Sequence, residues 1–187
     1  DPEIRAKLTP SHTLGCKRLV IDTDYYETFN RPNVTLVDIS ADPIESVTNT
    51  GIRTSLDDHE FDILVFATGF DAMTGSILRM DIVGRDGLTM QEAWSAGPRT
   101  YLGLATAGFP NFFTVTGPGS PSVLANMILA IQQHVEWIAD AISYVDEEGL
   151  ATMETTGDVA EAWVDHVNAI ADRTLFPTCN SWYLGSN

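Results

Sequence analysis

The run Asp62-Ile-Leu-Val-Phe-Ala-Thr-Gly-Phe-Asp71 constrains this chain more than any other stretch. Ile63 to Phe66 is unbroken apolar sequence, the pattern of a strand buried on both faces of a parallel sheet. It leads straight into Ala67, Thr68 and Gly69, and small residues at the carboxyl end of such a strand let a cofactor come close to the backbone. Yet no G-x-G-x-x-G follows any expected strand, so the turn that cradles a dinucleotide's phosphates is missing. The pattern is that of the carboxyl-terminal part of a larger flavoenzyme.

With 187 residues and 44% apolar content, the chain is long enough for one ordinary domain or parts of two. Ten basic against 26 acidic residues give a net charge of -16, which opposes binding to nucleic acid or to an anionic membrane surface. An anionic nucleotide would have to be held by a few placed cations, which singles out Lys17, Arg18, Arg31 and Arg99. Cys16 and Cys179 match no metal or C-x-x-C spacing and read as two buried or incidental thiols, with a reducing compartment, the cytoplasm, as the expected location. No signal peptide opens the chain, and no apolar run reaches the roughly 18 residues of a membrane span. His12, His59, His134 and His166 share no ligand spacing, so no metal site is expected, and His134 is placed on the polar side of its helix.

Along the chain, the pattern predicts a helix from Pro2 to Leu8, a brief strand from Lys17 to Asp22, and a helical turn over Tyr25 to Phe29 capped by Asp24. A β-rich stretch, Val34 to Ile39, and a hairpin around Asn49-Thr50-Gly51 precede the apolar strand at 62–66. An amphipathic turn is expected from Met90 to Trp94, and a second apolar strand from Phe112 to Thr116 ends in Gly117-Pro-Gly-Ser-Pro-Ser122. The helix after it carries apolar residues at Leu124, Met127, Ile128, Ile131, Val135, Ile138 and Ile142, three to four apart. A last helix spans about Val159 to Ile170.

A helix opening at Pro121 with Ser120 as cap would offer free backbone N–H groups and a positive dipole end to the electron-rich edge of a flavin; a capped helix without a ligand reads the same way. Lys17-Arg18 suits a 2'-phosphate or a reactive anion, although a dibasic pair is more often simply a solvated surface. Trp182 suits stacking on a nucleotide, and equally tail packing. No G-x-S-x-G is present, and the carboxylates single out no acid/base pair.

Taken in order, Lys17-Arg18, Tyr25-Tyr26-Glu27, Phe29-Asn30-Arg31, Phe66-Ala-Thr-Gly-Phe-Asp71, Gly84-Arg85-Asp86-Gly87, Tyr101-Leu-Gly103, Phe109-Pro-Asn111, Gly117-Pro-Gly119, His134-Val-Glu-Trp137 and Ser181-Trp182 resemble the type I Baeyer–Villiger monooxygenases, the phenylacetone and steroid branch in particular. The resemblance runs from about Gly15 to Asn187. It implies an α/β fold, part of a two-dinucleotide-binding-domain (FAD/NADP, Rossmann-like) flavoprotein truncated on its amino-terminal side. In that reading 1–14 ends a helical insertion, 15–60 ends the NADP-binding domain and 61–187 is the carboxyl-terminal part of the FAD-binding domain. The activity implied is NADPH- and FAD-dependent insertion of an oxygen atom from O2 beside a ketone carbonyl, giving an ester or lactone.

By the same resemblance Arg18 is the catalytic residue, its permanent charge stabilising the oxygenating anion and polarising the ketone, and it also contacts cofactor. Lys17 lies on the NADP ribose and 2'-phosphate, Trp182 hydrogen-bonds the same cofactor, and Met127 contacts the flavin. Ser122, Val123 and Leu124 match a substrate-lining loop. The family's two glycine turns, the fingerprint between them and an acidic partner for the catalytic Arg are missing from this sequence. The implied partners are therefore a ketone, O2 and the missing amino-terminal part of the same enzyme, and the chain alone is expected to be inactive. An N-hydroxylating or sulfide-oxidising flavin monooxygenase, and a non-catalytic FAD-domain remnant, are the alternatives.

Overall fold

A computed structural model describes residues 1–69, 71, 73–120 and 125–179 of the chain. They form two compact units, one made of 1–11 with 19–70, the other of 12–18 with 71 onward.

The first unit opens with α1, Pro2–Leu8, where Asp1 caps the N-terminus by accepting from the Glu3 and Ile4 N–H groups and Pro2 sits where no N–H is needed. The turn α2, Tyr25–Thr28, follows Asp24 as expected, but the Asp24 side chain makes no cap bond; Tyr25 N–H donates instead to Asp22 Oδ2 at 3.2 Å. The expected hairpin is β1, Ile44–Val47, with β2, Gly51–Thr54, and β3, Asp58–Glu60, completes an antiparallel sheet in the order β1-β2-β3. Register is set by Val47 opposite Ile52 and Ile52 opposite His59, with a bulge between Ile44 and Ser46. Gly51 is required there because a Cβ would collide with the His59 carbonyl.

The stretches read as β-structure at 17–22, 34–39 and 62–66 form no paired strand, and Ile63, Val65 and Phe66 are exposed by 80%, 79% and 67%. A parallel strand needs hydrogen-bonding neighbours, and none stands beside these segments among the described residues. The stretch 112–116 contributes only a single antiparallel bridge, Phe113 to Ala105.

The second unit holds the core. Met90 is fully buried, packed with Trp94 and Phe109 and flanked by Ile77, Leu78, Ile82, Leu88, Ala93 and Phe112. The turns α3, Gly75–Leu78, and α4, Met90–Ala93, frame it, and α4 starts in a capping box between Thr89 and Glu92. The long helix α5, Met127–Glu147, is capped by Asn126 and not by Ser120. It turns Ala130, His134 and Ala141 inward, so close packing selects small residues and one histidine, while Ile128, Ile131, Val135 and Ile142 of the expected apolar stripe are 77%, 39%, 51% and 57% exposed. The helix α6, Gly157–Ala171, matches its expected span within two residues at the start and one at the end.

The two cysteines are not thiols here: Cys16 and Cys179 are joined by a disulfide, with Cα atoms 5.5 Å apart. A separation of 163 positions carries no spacing signal, which is why the sequence alone missed the bridge. Among the described residues no helix is long and apolar enough to cross a membrane, and no cluster of ligands for a metal forms.

Candidate functional site

The second unit contains a turn, Thr116 to Ser120, that is bonded by side chains or backbone from four directions. Thr116 N–H donates to His134 Nδ1 of α5 at 3.0 Å, and Gly117 N–H donates to the Gly103 carbonyl at 3.0 Å. Thr100 Oγ1 donates to the Pro118 carbonyl at 2.5 Å, and Trp163 Nε1 of α6 donates to the Gly119 carbonyl at 2.9 Å. Within the turn, Ser120 N–H closes on the Gly117 carbonyl at 3.1 Å. Thr116 and Gly119 both have positive φ, 49° and 78°, so the backbone doubles back tightly here.

Trp163 makes an edge contact with Tyr101, ring centres 6.2 Å apart, and two residues earlier on α6 Glu161 pairs with Arg99. Gly103 lies so close to the turn that a Cβ would stand 2.5 Å from Ser120 Cβ and 2.8 Å from the Gly117 carbonyl. A backbone bonded in this way holds the turn at 116–120 in one course. Ser122, Val123 and Leu124 themselves lie outside the described residues, as does Trp182.

His134 is buried rather than polar-facing, at 6% exposure, and burial pushes its pKa below the ordinary histidine value. Only the neutral ring can accept from Thr116 N–H at Nδ1. The folded protein therefore binds this proton less readily than the unfolded chain, and the stability that His134 contributes is present above the unfolded pKa near 6.5 and lost as pH falls below it. The expected result is that wild type loses stability in urea between pH 7.5 and pH 5 more steeply than His134→Gln. Equal slopes would show that His134 is not a neutral acceptor.

Lys17 and Arg18 are exposed and, among the described residues, in no ion pair, although the chain carries 26 acidic groups. Arg99, the other cation of interest in this unit, is taken by Glu161, and Arg85 by Glu154 at 2.7 Å. An unpaired Lys-Arg step suits the doubly charged 2'-phosphate of NADP, the Lys as point charge and the Arg as planar fork. Lys17, Arg18 and Met127 belong to the same unit, the short segment 12–18 having joined residues far along the chain.

Met127 is the first residue of α5 and is partly buried. The free N–H groups expected at this helix start are partly occupied, because Asn126 Oδ1 accepts from Ile128 at 3.1 Å and from Leu129 at 3.4 Å. This helix start therefore presents one partly buried apolar side chain beside two backbone N–H groups that are already bonded. Thr100, Gly103, His134 and Trp163 were not singled out as site residues, because each acts through a contact with residues 11 to 44 positions away.

No family model matches the chain. Over its whole length it is 47% identical to a Baeyer-Villiger monooxygenase of Pseudooceanicola batsensis, of which it covers 34%, and 45% identical to a phenazine N-monooxygenase of Lysobacter antibioticus, again covering 34%. Its fold matches that of an oxidised steroid monooxygenase bound to NADP at a TM-score of 0.89 with 53% identity, covering 99% of this chain and 36% of the other. A complex of OTEMO with FAD and NADP matches at 0.88 with 44% identity, over 97% of this chain and 34% of that one. The chain spans about a third of the length of the relatives it matches, and over that third its sequence and fold are similar to theirs.

Proposed function

We propose that this chain, homologous along its whole length to a third of a Baeyer–Villiger monooxygenase, forms part of an enzyme that oxidises ketones to esters or lactones with NADPH, FAD and O2. The observation that carries this reading is the exposed Lys17-Arg18 step, without an ion-pair partner among the described residues in a strongly acidic chain, set in a unit whose sequence and fold match NADP-bound relatives. Bound FAD, reduced by NADPH, supplies the oxygen activation. In this reading 1–14 ends a helical insertion, 15–60 ends the NADP-binding domain and 61–187 completes the FAD-binding domain, in a cytoplasmic enzyme.

Lys17 holds the 2'-phosphate and Arg18 stabilises the anion developed during oxygen transfer while polarising the ketone carbonyl. Trp182 hydrogen-bonds NADP from the tail, Met127 packs against the flavin, and Ser122, Val123 and Leu124 line the ketone site. The braced turn at 116–120 would hold that lining segment in register. The uncovered apolar row of α5 is where the remainder of the enzyme packs, since an apolar patch of that kind on one helix marks an interaction surface.

A second reading, N-oxidation of an aromatic heterocycle, is favoured by the 45% identity to the phenazine N-monooxygenase. The first test is consumption of NADPH by the full-length protein with and without ketone: stimulation by ketone supports Baeyer–Villiger chemistry, and stimulation by phenazine alone supports the second reading. Lys17→Ala is expected to raise KM for NADPH more than for NADH, by about 1.5–3 kcal/mol for one charged hydrogen bond. Equal effects on the two cofactors would remove Lys17 from the 2'-phosphate.

A further inference from the structure

The Cys16–Cys179 bridge joins two pieces of chain that the function assigns to the same cofactor. Cys16 immediately precedes Lys17-Arg18, and Cys179 stands three residues before Trp182 in the sequence. The two Cα atoms are 5.5 Å apart, inside the range a disulfide spans, and both belong to the second unit. Each sulfur is delivered by a turn of its own: Cys16 N–H donates to the Thr13 carbonyl at 3.1 Å beside Gly15, whose φ is 87°, and Cys179 N–H donates to the Phe176 carbonyl at 2.9 Å. Cys179 Sγ lies 3.2 Å from the Leu175 carbonyl, so the reduced thiol also has an acceptor for its proton.

Resting on the function proposed above, we propose that Cys16 and Cys179 form a redox-modification site, oxidised by hydrogen peroxide, whose crosslink fixes the Lys17-Arg18 segment to the tail and tightens NADP binding. Cys16 is 3% exposed and Cys179 is only partly buried, so peroxide reaches Cys179 first. The Cys179 thiolate attacks one peroxide oxygen, the O–O bond breaks, and a sulfenic acid forms with release of one water. The Cys16 thiolate then attacks that sulfur, the S–S bond forms, and hydroxide leaves as a second water. Two thiols have lost two electrons and two protons, and one peroxide has become two waters. Reduction by a dithiol runs the exchange backwards: its thiolate attacks the Cys179 sulfur, releases Cys16, and its second thiol closes to free Cys179.

Holding a binding segment in place before a ligand arrives lowers the entropy lost on binding. The full-length protein would be treated with hydrogen peroxide or with dithiothreitol, its cysteines alkylated and mapped by mass spectrometry, and the Kd for NADP+ measured for each form. The expected result is a Cys16–Cys179 peptide pair in the oxidised form and an NADP+ Kd about 3–10-fold tighter than in the reduced form, from preorganisation. Cys16→Ser and, as a second variant, Cys179→Ser should show the weaker Kd under both treatments. A bridge that forms without changing Kd, or two alkylated cysteines after peroxide, overturns this proposal alone. No NADP+ binding in either form overturns it together with the assigned function.

Discussion

Arg18→Ala in the full-length enzyme is expected to bind FAD and still consume NADPH while forming little ester, the reducing equivalents appearing as hydrogen peroxide. A preorganised charge beside a developing anion is worth about 10²–10³ in the rate of the step it serves, and steps that develop no such charge are spared. The motivation is structural as well as familial: Arg18 is exposed, and no ion pair among the described residues engages it, so its charge is available to a ligand. Gas chromatography of the ester against a peroxide assay gives the ratio directly. Near-normal ester yield would take Arg18 out of the chemistry, and Arg18→Lys separates mere charge from the planar donor fork.

Gly103→Ala is expected to be among the most damaging single-methyl additions in the second unit. The residue has φ 69°, and its new Cβ would meet Ser120 Cβ at 2.5 Å and the Gly117 carbonyl at 2.8 Å. Left-handed backbone strain and overpacking each cost roughly 1–3 kcal/mol. Because the collision falls on the turn that Thr100 and Trp163 hold, the ketone KM should rise along with the loss of stability. Gly87→Ala serves as the reference: φ is 81° but nothing lies within 4 Å of the added methyl, so it carries the strain without the collision. Identical stability and KM for the two variants would show that the close approach at Gly103 does not matter.

Several local signals in the sequence were followed by the structure, although the expected caps Asp24 and Ser120 were not used. The helix read from Pro2 is α1, the Asn49-Thr50-Gly51 step makes the hairpin, the turn read from Met90 is α4, and the spacing of apolar residues marks α5. What depended on distant partners was misread. The apolar run Ile63–Phe66 has strand composition, but pairing is a property of neighbours, and here it stays unpaired with Ile63, Val65 and Phe66 exposed. On α5 the apolar periodicity was legible while the face was not: the inward row is Ala130, His134 and Ala141, because close approach of backbone favours small side chains and a histidine with a bonded nitrogen. The same reasoning covers the site. Lys17 and Arg18 could be picked out as placed cations in an acidic chain, whereas Thr100 and Trp163 are ordinary residues until the carbonyls of Pro118 and Gly119 are brought to them. The Cys16–Cys179 bridge joins positions 163 apart, and only the fold can make that pairing.

The most direct test of the central claim is the fate of molecular oxygen. Full-length protein would be incubated with NADPH, ¹⁸O2 and a panel of linear, cyclic and aromatic ketones, with phenazine as the competing substrate, and the products analysed by mass spectrometry. The account predicts an ester or lactone carrying one ¹⁸O from at least one ketone, with that yield collapsing in Arg18→Ala. A labelled phenazine N-oxide with no ester from any ketone would contradict it.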